Sequence, residues 1–199
     1  MIGAYLRERF RLTFFGPLAL VLALGALGPR LDVWSLAVQT MGALFLLAQF
    51  RIWDDLADRR KDAVTHPRRV LVRAGTPAPL LGFGMALLAL NVGLASQRDA
   101  TVLSLSLLAL VHVALGAYYL LRARRTLLGD GLLLAKYPAF VCLLAGERLL
   151  DAPFAVAVAA VLVYAGASAY EAWHDPGSPL ASLARYAARR ISHSPGRAA

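Results

Sequence analysis

Residues 51–75 read RIWDDLADRRKDAVTHPRRVLVRAG, and the rest of the chain is organised around this stretch. Asp54, Asp55, Asp58 and Asp62 fall within nine residues, directly after an apolar run, and make up a third of the 12 Asp and Glu residues. Like charges three or four residues apart on a helix repel each other by roughly 0.2–0.5 kcal/mol per solvated pair. Neighbouring cations or a bound divalent metal ion must therefore offset the repulsion.

The spacing of the aspartates favours a shared ligand. On a helix, Asp55, Asp58 and Asp62 follow the i, i+3, i+7 pattern and line one face, with Asp54 at its edge. Oxygen ligands suit Mg²⁺, which usually takes one or two carboxylates together with substrate phosphates. The stretch is therefore interpreted as a magnesium–diphosphate site. The alternative is a solvated acidic turn, neutralised by the three cations that follow Asp58.

The composition points to a membrane protein. The 199 residues are 59% hydrophobic, and the mean hydropathy of +0.59 is too high for an ordinary soluble domain. The net charge is +9, but the basic residues flank apolar runs without interleaved aromatic residues. This pattern favours contact with an anionic lipid bilayer over nucleic acid. The single cysteine, Cys142, excludes an intrachain disulfide and a cysteine-based metal site.

Six apolar runs approach the length of about 17–25 residues that spans a bilayer. They show no period-two alternation, so helices are expected. The sequence therefore predicts an all-α integral membrane bundle of about six transmembrane helices over residues 1–175. A basic tail follows at 176–199, predicted to be amphipathic and then disordered from Ser192. The runs lie near 12–28, 33–50, 78–97, 101–121, 127–146 and 153–172.

The distribution of Lys and Arg predicts the orientation. With the N-terminus inside, the inner segments carry three, seven, three and four basic residues, seventeen in all, against three in the outer turns. Cytoplasmic segments are enriched in Lys and Arg, so this bias places both termini and the aspartate stretch in the cytoplasm. We expect a multi-pass protein of the inner (cytoplasmic) membrane.

Further polar residues could complete the site. The sixth run should end on the cytoplasmic face near Glu171 and Asp175, so two carboxylate clusters can converge there. Lys136 lies inside the fifth run, where a lysine is costly and indicates a functional role, either contact with the diphosphate or pairing with an aspartate. Arg69 and Arg73 carry planar guanidinium groups that suit phosphate. The alternatives are a charged helix end that meets water, a lysine that snorkels to the interface, and arginines that only mark the inner face.

His112 and Asn91 lie in the middle of their runs. In that position both are expected to be buried, hydrogen-bonded packing residues rather than catalysts.

The acidic stretch also resembles a known signature. Asp54-Asp55-x-x-Asp58-x-x-x-Asp62, followed by Pro67-x-Arg69 and Gly75, is similar to the first motif of the UbiA family of membrane prenyltransferases, NDxxDxxxD followed by PxRPxxxG. Asp54 replaces the leading Asn, and Val70 replaces the proline after the arginine. Glu171 and Asp175 stand where that family has a second aspartate-rich motif, in degenerate form.

The resemblance implies a Mg²⁺-dependent transfer of an isoprenyl group from a prenyl diphosphate to an unidentified small or lipid acceptor. It implies catalytic roles for Asp55, Asp58 and Asp62. It implies Mg²⁺ ligands at Asp54, Asp55, Asp58, Asp62, Glu171 and Asp175. From their charge and position, Arg69, Lys136 and Arg73 are expected to contact the diphosphate of such a substrate.

Members of the family typically have about nine helices, and this chain has room for six. Either a homo-oligomer closes the cavity or the chain is a shortened relative with changed or lost activity. The rival hypothesis is a non-enzymatic membrane protein that binds or transports a divalent metal through the same carboxylates. A CDP-alcohol phosphotransferase is disfavoured, because Asp130-Gly131 is not followed by the Ala-Arg pair of that signature.

Overall fold

The computed structural model of the chain describes residues 1–29, 31–122 and 125–192. This part of the chain forms twelve α-helices, labelled here in chain order. They are α1 (Ile2–Arg9), α2 (Leu12–Leu27), α3 (Val33–Ala57), α4 (Arg59–Thr65), α5 (Val70–Arg73), α6 (Ala78–Ser96), α7 (Thr101–Leu121), α8 (Leu127–Leu134), α9 (Lys136–Ala145), α10 (Arg148–Asp151), α11 (Pro153–His174) and α12 (Pro179–Ser192).

Five helical segments of the described residues are long and apolar enough to cross a membrane: α3, α6, α7, α11 and the α8–α9 pair taken together. Helices α1 and α2 pass the same test only as a pair bent by 73°, which gives up to six. The expectation of an all-α chain with about six such segments is therefore confirmed. The side of the membrane on which the termini lie stays a prediction.

The first helix was not anticipated from the sequence, which marked residues before 12 only as a basic flank. In α1, Tyr5 is 1% exposed and donates a hydrogen bond to Oδ2 of Asp55 at 2.7 Å. The backbone N–H of Val70 donates to Oε2 of Glu8 at 2.9 Å. Helix α1 is thus bound to the acidic stretch and to the segment after it.

Helix α3 continues beyond the predicted end at residue 50, through Asp54 and Asp55 to Ala57. The chain turns at Asp58, whose φ of −87° and ψ of −1° depart from helical values, and resumes as α4. Asp62 lies in α4. The expectation that Asp55, Asp58 and Asp62 share the face of one helix is therefore corrected, because the helix is interrupted at Asp58.

The fifth apolar run is broken at Ala135, between α8 and α9. Pro138 has no N–H to donate to the carbonyl of Leu134 four residues earlier, which accounts for a break at this point. Lys136 is therefore the first residue of α9, at a discontinuity in the run, and not within an unbroken helix.

The core packs α2 against α3, α9 and α11 through residues such as Leu22, Phe50, Phe140 and Val156, each at most 1% exposed. The outer face is also apolar: in α11, Phe154 is 83% exposed. Small side chains let helices approach closely where hydrocarbon surrounds them. An apolar core within an apolar surface is the organisation expected of a membrane bundle.

Two arginines predicted as charges of the outer turns serve as helix caps at the end of the bundle remote from Asp55. Arg148 Nη1 donates to the carbonyls of Gly25 and Ala26 at 3.1 and 2.6 Å, near the end of α2. Arg98 Nη1 donates to the carbonyl of Leu144 at 2.6 Å, near the end of α9. Both therefore satisfy carbonyls that have no partner within their own helix.

The C-terminal tail, predicted from residue 176, begins with a segment that packs against α8. Ser178 is fully buried and donates a hydrogen bond to Oδ2 of Asp130 at 2.9 Å. Helix α12 follows and contacts α8 and α11, with Ala181 buried. Helix α12 includes Ser192, where disorder was expected to begin, and the rest of the expected disorder falls on residues 193–199, outside the described residues.

Candidate functional site

A cavity of about 830 Å³ opens at the end of the bundle where α3 meets α4. Residues of α1, α3, α4, α7, α8, α9 and α11 line it, together with the segments that follow α4, α7 and α11. Its lining holds seven carboxylates: Asp54, Asp55, Asp58, Asp62, Asp130, Glu171 and Asp175. It also holds eight cations: Arg9, Arg51, Arg60, Lys61, Arg69, Arg122, Arg125 and Lys136.

Asp55 is the most completely engaged of the four clustered aspartates. Arg9 donates to both of its carboxylate oxygens, from Nη2 to Oδ1 at 2.6 Å and from Nε to Oδ2 at 3.0 Å. Tyr5 donates to Oδ2, and Arg51 Nη2 lies 3.4 Å from Oδ1. Its side chain is 6% exposed. Asp55 therefore serves as a buried anchor between α1 and α3.

Asp54 is the charged partner of Lys136, the lysine in the fifth apolar run. Lys136 Nζ forms an ion pair with Oδ2 of Asp54, and the hydroxyl of Tyr119 donates to Oδ1. Lys136 is 7% exposed, so the ammonium group is removed from water but has a charged partner. A buried charge is tolerated when it is paired and hydrogen-bonded in this way.

Asp58 is the aspartate of the cluster most open to the cavity, with a side chain 33% exposed. It forms an ion pair with Arg122, the residue that caps α7. Burial lowers the pKa of Arg122 and the negative charge of Asp58 raises it, and the second effect prevails. Asp62 forms an ion pair with Arg69 and has an 8% exposed side chain.

A second cluster forms around Arg125. Its Nε donates to both oxygens of Asp130 at 2.8 and 3.0 Å, its Nη1 to Oδ2 of Asp175 at 2.6 Å, and its Nη2 to Oε1 of Glu171 at 2.5 Å. The hydrogen bond from Arg125 lowers the pKa of Asp175. The guanidinium of Arg125 thus binds three carboxylates, which lie in α8, in α11 and at the residue after α11.

Most of the predicted site residues meet at the cavity. The four clustered aspartates, Glu171, Asp175, Arg69 and Lys136 all line it, so the two predicted carboxylate clusters open onto the same cavity. Arg73 does not: it ends α5, is exposed and is outside the lining. The structure therefore gives no support to the predicted contact of Arg73 with a diphosphate.

The donor chemistry suits Mg²⁺, since all the candidate ligands are carboxylate oxygens. Within residues 1–29, 31–122 and 125–192, no group of three or more His, Cys, Asp or Glu side chains is placed to hold a metal ion. Each carboxylate of the cavity instead has an Arg or Lys partner. The magnesium site stays a prediction, and it requires these carboxylates to change partners.

Sequence reasoning assigned no site role to several residues that shape the cavity, among them Arg9, Tyr119, Arg122, Arg125 and Asp130. The basic residues at 122–125 were counted only as a marker of orientation. The tyrosine pair at 118–119, separated by two residues from the first of these arginines, offered a signal, because aromatic and guanidinium groups at the end of an apolar run suit a site at the membrane interface.

In comparisons with known proteins, no protein-family model, curated protein or solved structure matches the chain. The resemblance to the UbiA family consequently depends on the motif residues between 54 and 75 and on the degenerate pair Glu171 and Asp175.

Proposed function

We propose that the chain is a membrane prenyltransferase that takes an isoprenyl group from a prenyl diphosphate, with Mg²⁺, and passes it to a small or lipid acceptor. We further propose that the cavity and both termini face the cytoplasm at the inner membrane. The observation that carries the proposal is the charged cavity of about 830 Å³ at one end of an apolar bundle, which is lined by the ends of both α3 and α11.

The charge pattern of the cavity favours a ligand that carries both signs. The seven carboxylates are all paired with cations of the chain. A metal ion alone would release the arginines, and a phosphate alone would release the carboxylates. An unpaired charge is costly where water is scarce. A divalent cation bound with a diphosphate gives both sets new partners, which argues against the rival function of metal binding alone.

The exposure of the carboxylates suggests separate roles. Asp58, Glu171 and Asp175, with side chains 33%, 29% and 43% exposed, are the carboxylates best able to hold Mg²⁺. Asp54 and Asp62 could join them after releasing Lys136 and Arg69. When bound, the ion supplies neutralisation of charge on the diphosphate.

The cations of the cavity would bind the diphosphate oxygens. Arg122 and Arg69 offer planar groups that match phosphate, and Lys136 offers a point charge. In the reaction, the bond between the allylic carbon and the diphosphate oxygen breaks, and the diphosphate leaves with the electron pair. The acceptor forms a new bond to that carbon and loses a proton to a cavity carboxylate. Fixed cations that stabilise the leaving group supply the main rate advantage.

The experiment is a transfer assay on purified protein, with labelled prenyl diphosphates and a panel of quinone-precursor, porphyrin and sugar-lipid acceptors. We expect transfer that requires Mg²⁺ and is lost in Asp58→Asn. Asp99→Asn is the matched control, because Asp99 is exposed in the turn before α7 and outside the cavity. Divalent-metal uptake into liposomes without prenyl transfer would support the rival function.

A further inference from the structure

A second groove, separate from the charged cavity, lies between α1, the start of α2, α3 and α6. Its volume is about 720 Å³, within the range of roughly 300–1,000 Å³ of small-molecule sites. Its lining is apolar except for two arginines, Arg7 and Arg11. The apolar part is built from residues such as Leu6, Phe10, Met41, Phe45, Phe83 and Leu87.

The groove has a charged end and an apolar body. On α3 its lining runs from Ala48 back to Met41, and on α6 from Phe83 to Leu90. Each stretch is about 10 Å long at 1.5 Å per residue. Arg7 and Arg11 come from α1 and the joint with α2. Because α1 is anchored at Asp55, they belong to the end of the bundle that carries the acidic stretch.

The two arginines have no partner among the described residues. Both side chains are exposed, and neither guanidinium takes part in a hydrogen bond, an ion pair or a cation–π contact there. Arg9, between them in sequence, is fully occupied by Asp55. Two free guanidinium groups at the mouth of an apolar groove provide the complement of an anionic headgroup attached to a hydrocarbon chain.

We propose that this groove binds one anionic phospholipid of the bilayer, with its phosphate between Arg7 and Arg11 and an acyl chain along α3 and α6. A prenyl diphosphate fits the groove less well. None of the residues that line it is a carboxylate, so a magnesium ion bound to a diphosphate would find no protein ligand there. The proposal is independent of the catalytic role of the charged cavity.

The test measures retention of lipid by purified protein with native mass spectrometry, using dioleoyl phosphatidylglycerol and dioleoyl phosphatidylcholine as probes. We expect the wild type to prefer phosphatidylglycerol. The Arg7→Gln/Arg11→Gln double variant should lower that preference about tenfold or more, as expected for the loss of two basic residues near an anionic headgroup. Arg68→Gln/Arg73→Gln removes the same charge from two exposed arginines outside the groove and should leave the preference unchanged.

A second pair of variants tests the apolar body. Ala86 lines the groove, so Ala86→Trp should displace the acyl chain and reduce retention of both lipids. Ala89 is exposed on the same helix and outside the groove, so Ala89→Trp should bind as the wild type does. If all four variants retained both lipids as the wild type does, the proposal would be overturned. So would displacement of phosphatidylglycerol by farnesyl diphosphate, since the groove would then be a prenyl diphosphate site.

Discussion

Arg9 of α1 holds the carboxylate of Asp55 in α3 through two parallel hydrogen bonds, at 2.6 and 3.0 Å. This pair connects the first helix of the chain to the acidic end of the longest one. Bidentate pairing fixes the orientation of the carboxylate as well as its charge. Asp55 therefore has a structural task that the spacing of the aspartates alone does not reveal, and Asp58 is the better candidate for contact with a ligand.

Arg9→Gln and Asp55→Asn should each lower the free energy of unfolding in detergent by about 1–3 kcal/mol, the range for hydrogen bonds to charged groups. The double variant should lose less than the sum, because the second substitution removes an interaction that is already broken. Thermal unfolding of all four proteins measures the difference. Arg68→Gln is the control, since exposed Arg68 has no partner among the described residues. Additive losses would show that the two side chains are not coupled.

Gly28 should resist substitution. Its φ of 57° lies in the left-handed region, and a Cβ there would overlap the guanidinium of Arg148, which caps α2. Gly28→Ala should therefore destabilise the bundle by about 1–3 kcal/mol. Gly82→Ala, in α6 with open space around it, should be neutral or stabilising. Thermal unfolding distinguishes the two, and equal melting temperatures would contradict the role given to Arg148.

A polar chain crosses the core at Gln49. Asn91 Nδ2 donates to Oε1 of Gln49 at 2.6 Å, and Nε2 of Gln49 lies 2.6 Å from Nε2 of His112. His112→Leu would leave the amide nitrogen of Gln49 without a partner and should cost about 1–2 kcal/mol. Ser104→Ala is the comparison. Among the described residues, the buried hydroxyl of Ser104 has no hydrogen-bond partner, so its removal should be neutral or stabilising. A larger loss in Ser104→Ala than in His112→Leu would refute this account.

Arg125 should control the docking of the tail. Arg125→Gln removes the contacts to Asp130, Glu171 and Asp175 and should free α12 at neutral pH. A spin label at position 183, in a Cys142→Ala background, reports this as faster side-chain motion. Arg185→Gln is the control, because the described contacts of Arg185 stay within the tail. Unchanged label mobility in Arg125→Gln would contradict the prediction.

Acid should release the same tail in the wild type. The hydrogen bond from Arg125 lowers the pKa of Asp175 below its ordinary 3.8. A depressed carboxyl pKa stabilises the folded state above the ordinary value, and the contribution is lost as the pH falls through the lowered one. The spin label should therefore keep its neutral-pH mobility down to about pH 4 and become more mobile below it. Release of the tail between pH 5 and 7 would show that a titratable group other than Asp175 controls the docking.

The sequence was sufficient to predict the apolar helices, because their length and composition alone decide whether they can span a bilayer. It also predicted that Asp58 and Asp175 would lie at the same end of the bundle, because the Lys and Arg residues concentrate at that end. The break between α8 and α9 at Ala135 also has a cause in the sequence, since Pro138 cannot donate a backbone hydrogen bond.

The sequence did not predict the first helix, nor which charged residues would pair with each other. An isolated helix as short as α1 is not stable in water, so its formation depends on contacts with Asp55 and Val70 that only the folded chain provides. The partners Asp58 and Arg122 are 64 residues apart, and Asp54 and Lys136 are 82 apart. Such pairs depend on how the helices pack, which the apolar runs do not encode in any local pattern.

The central claim is that the charged cavity binds Mg²⁺ together with a prenyl diphosphate. Calorimetric titration of the purified protein with a non-reactive prenyl thiodiphosphate tests it most directly. The account predicts binding that disappears with EDTA, weakens at least about tenfold (1.4 kcal/mol) in Asp58→Asn, and is unchanged in Asp99→Asn. Binding that is equally strong without Mg²⁺ and in Asp58→Asn, or no binding by the wild type, would contradict it.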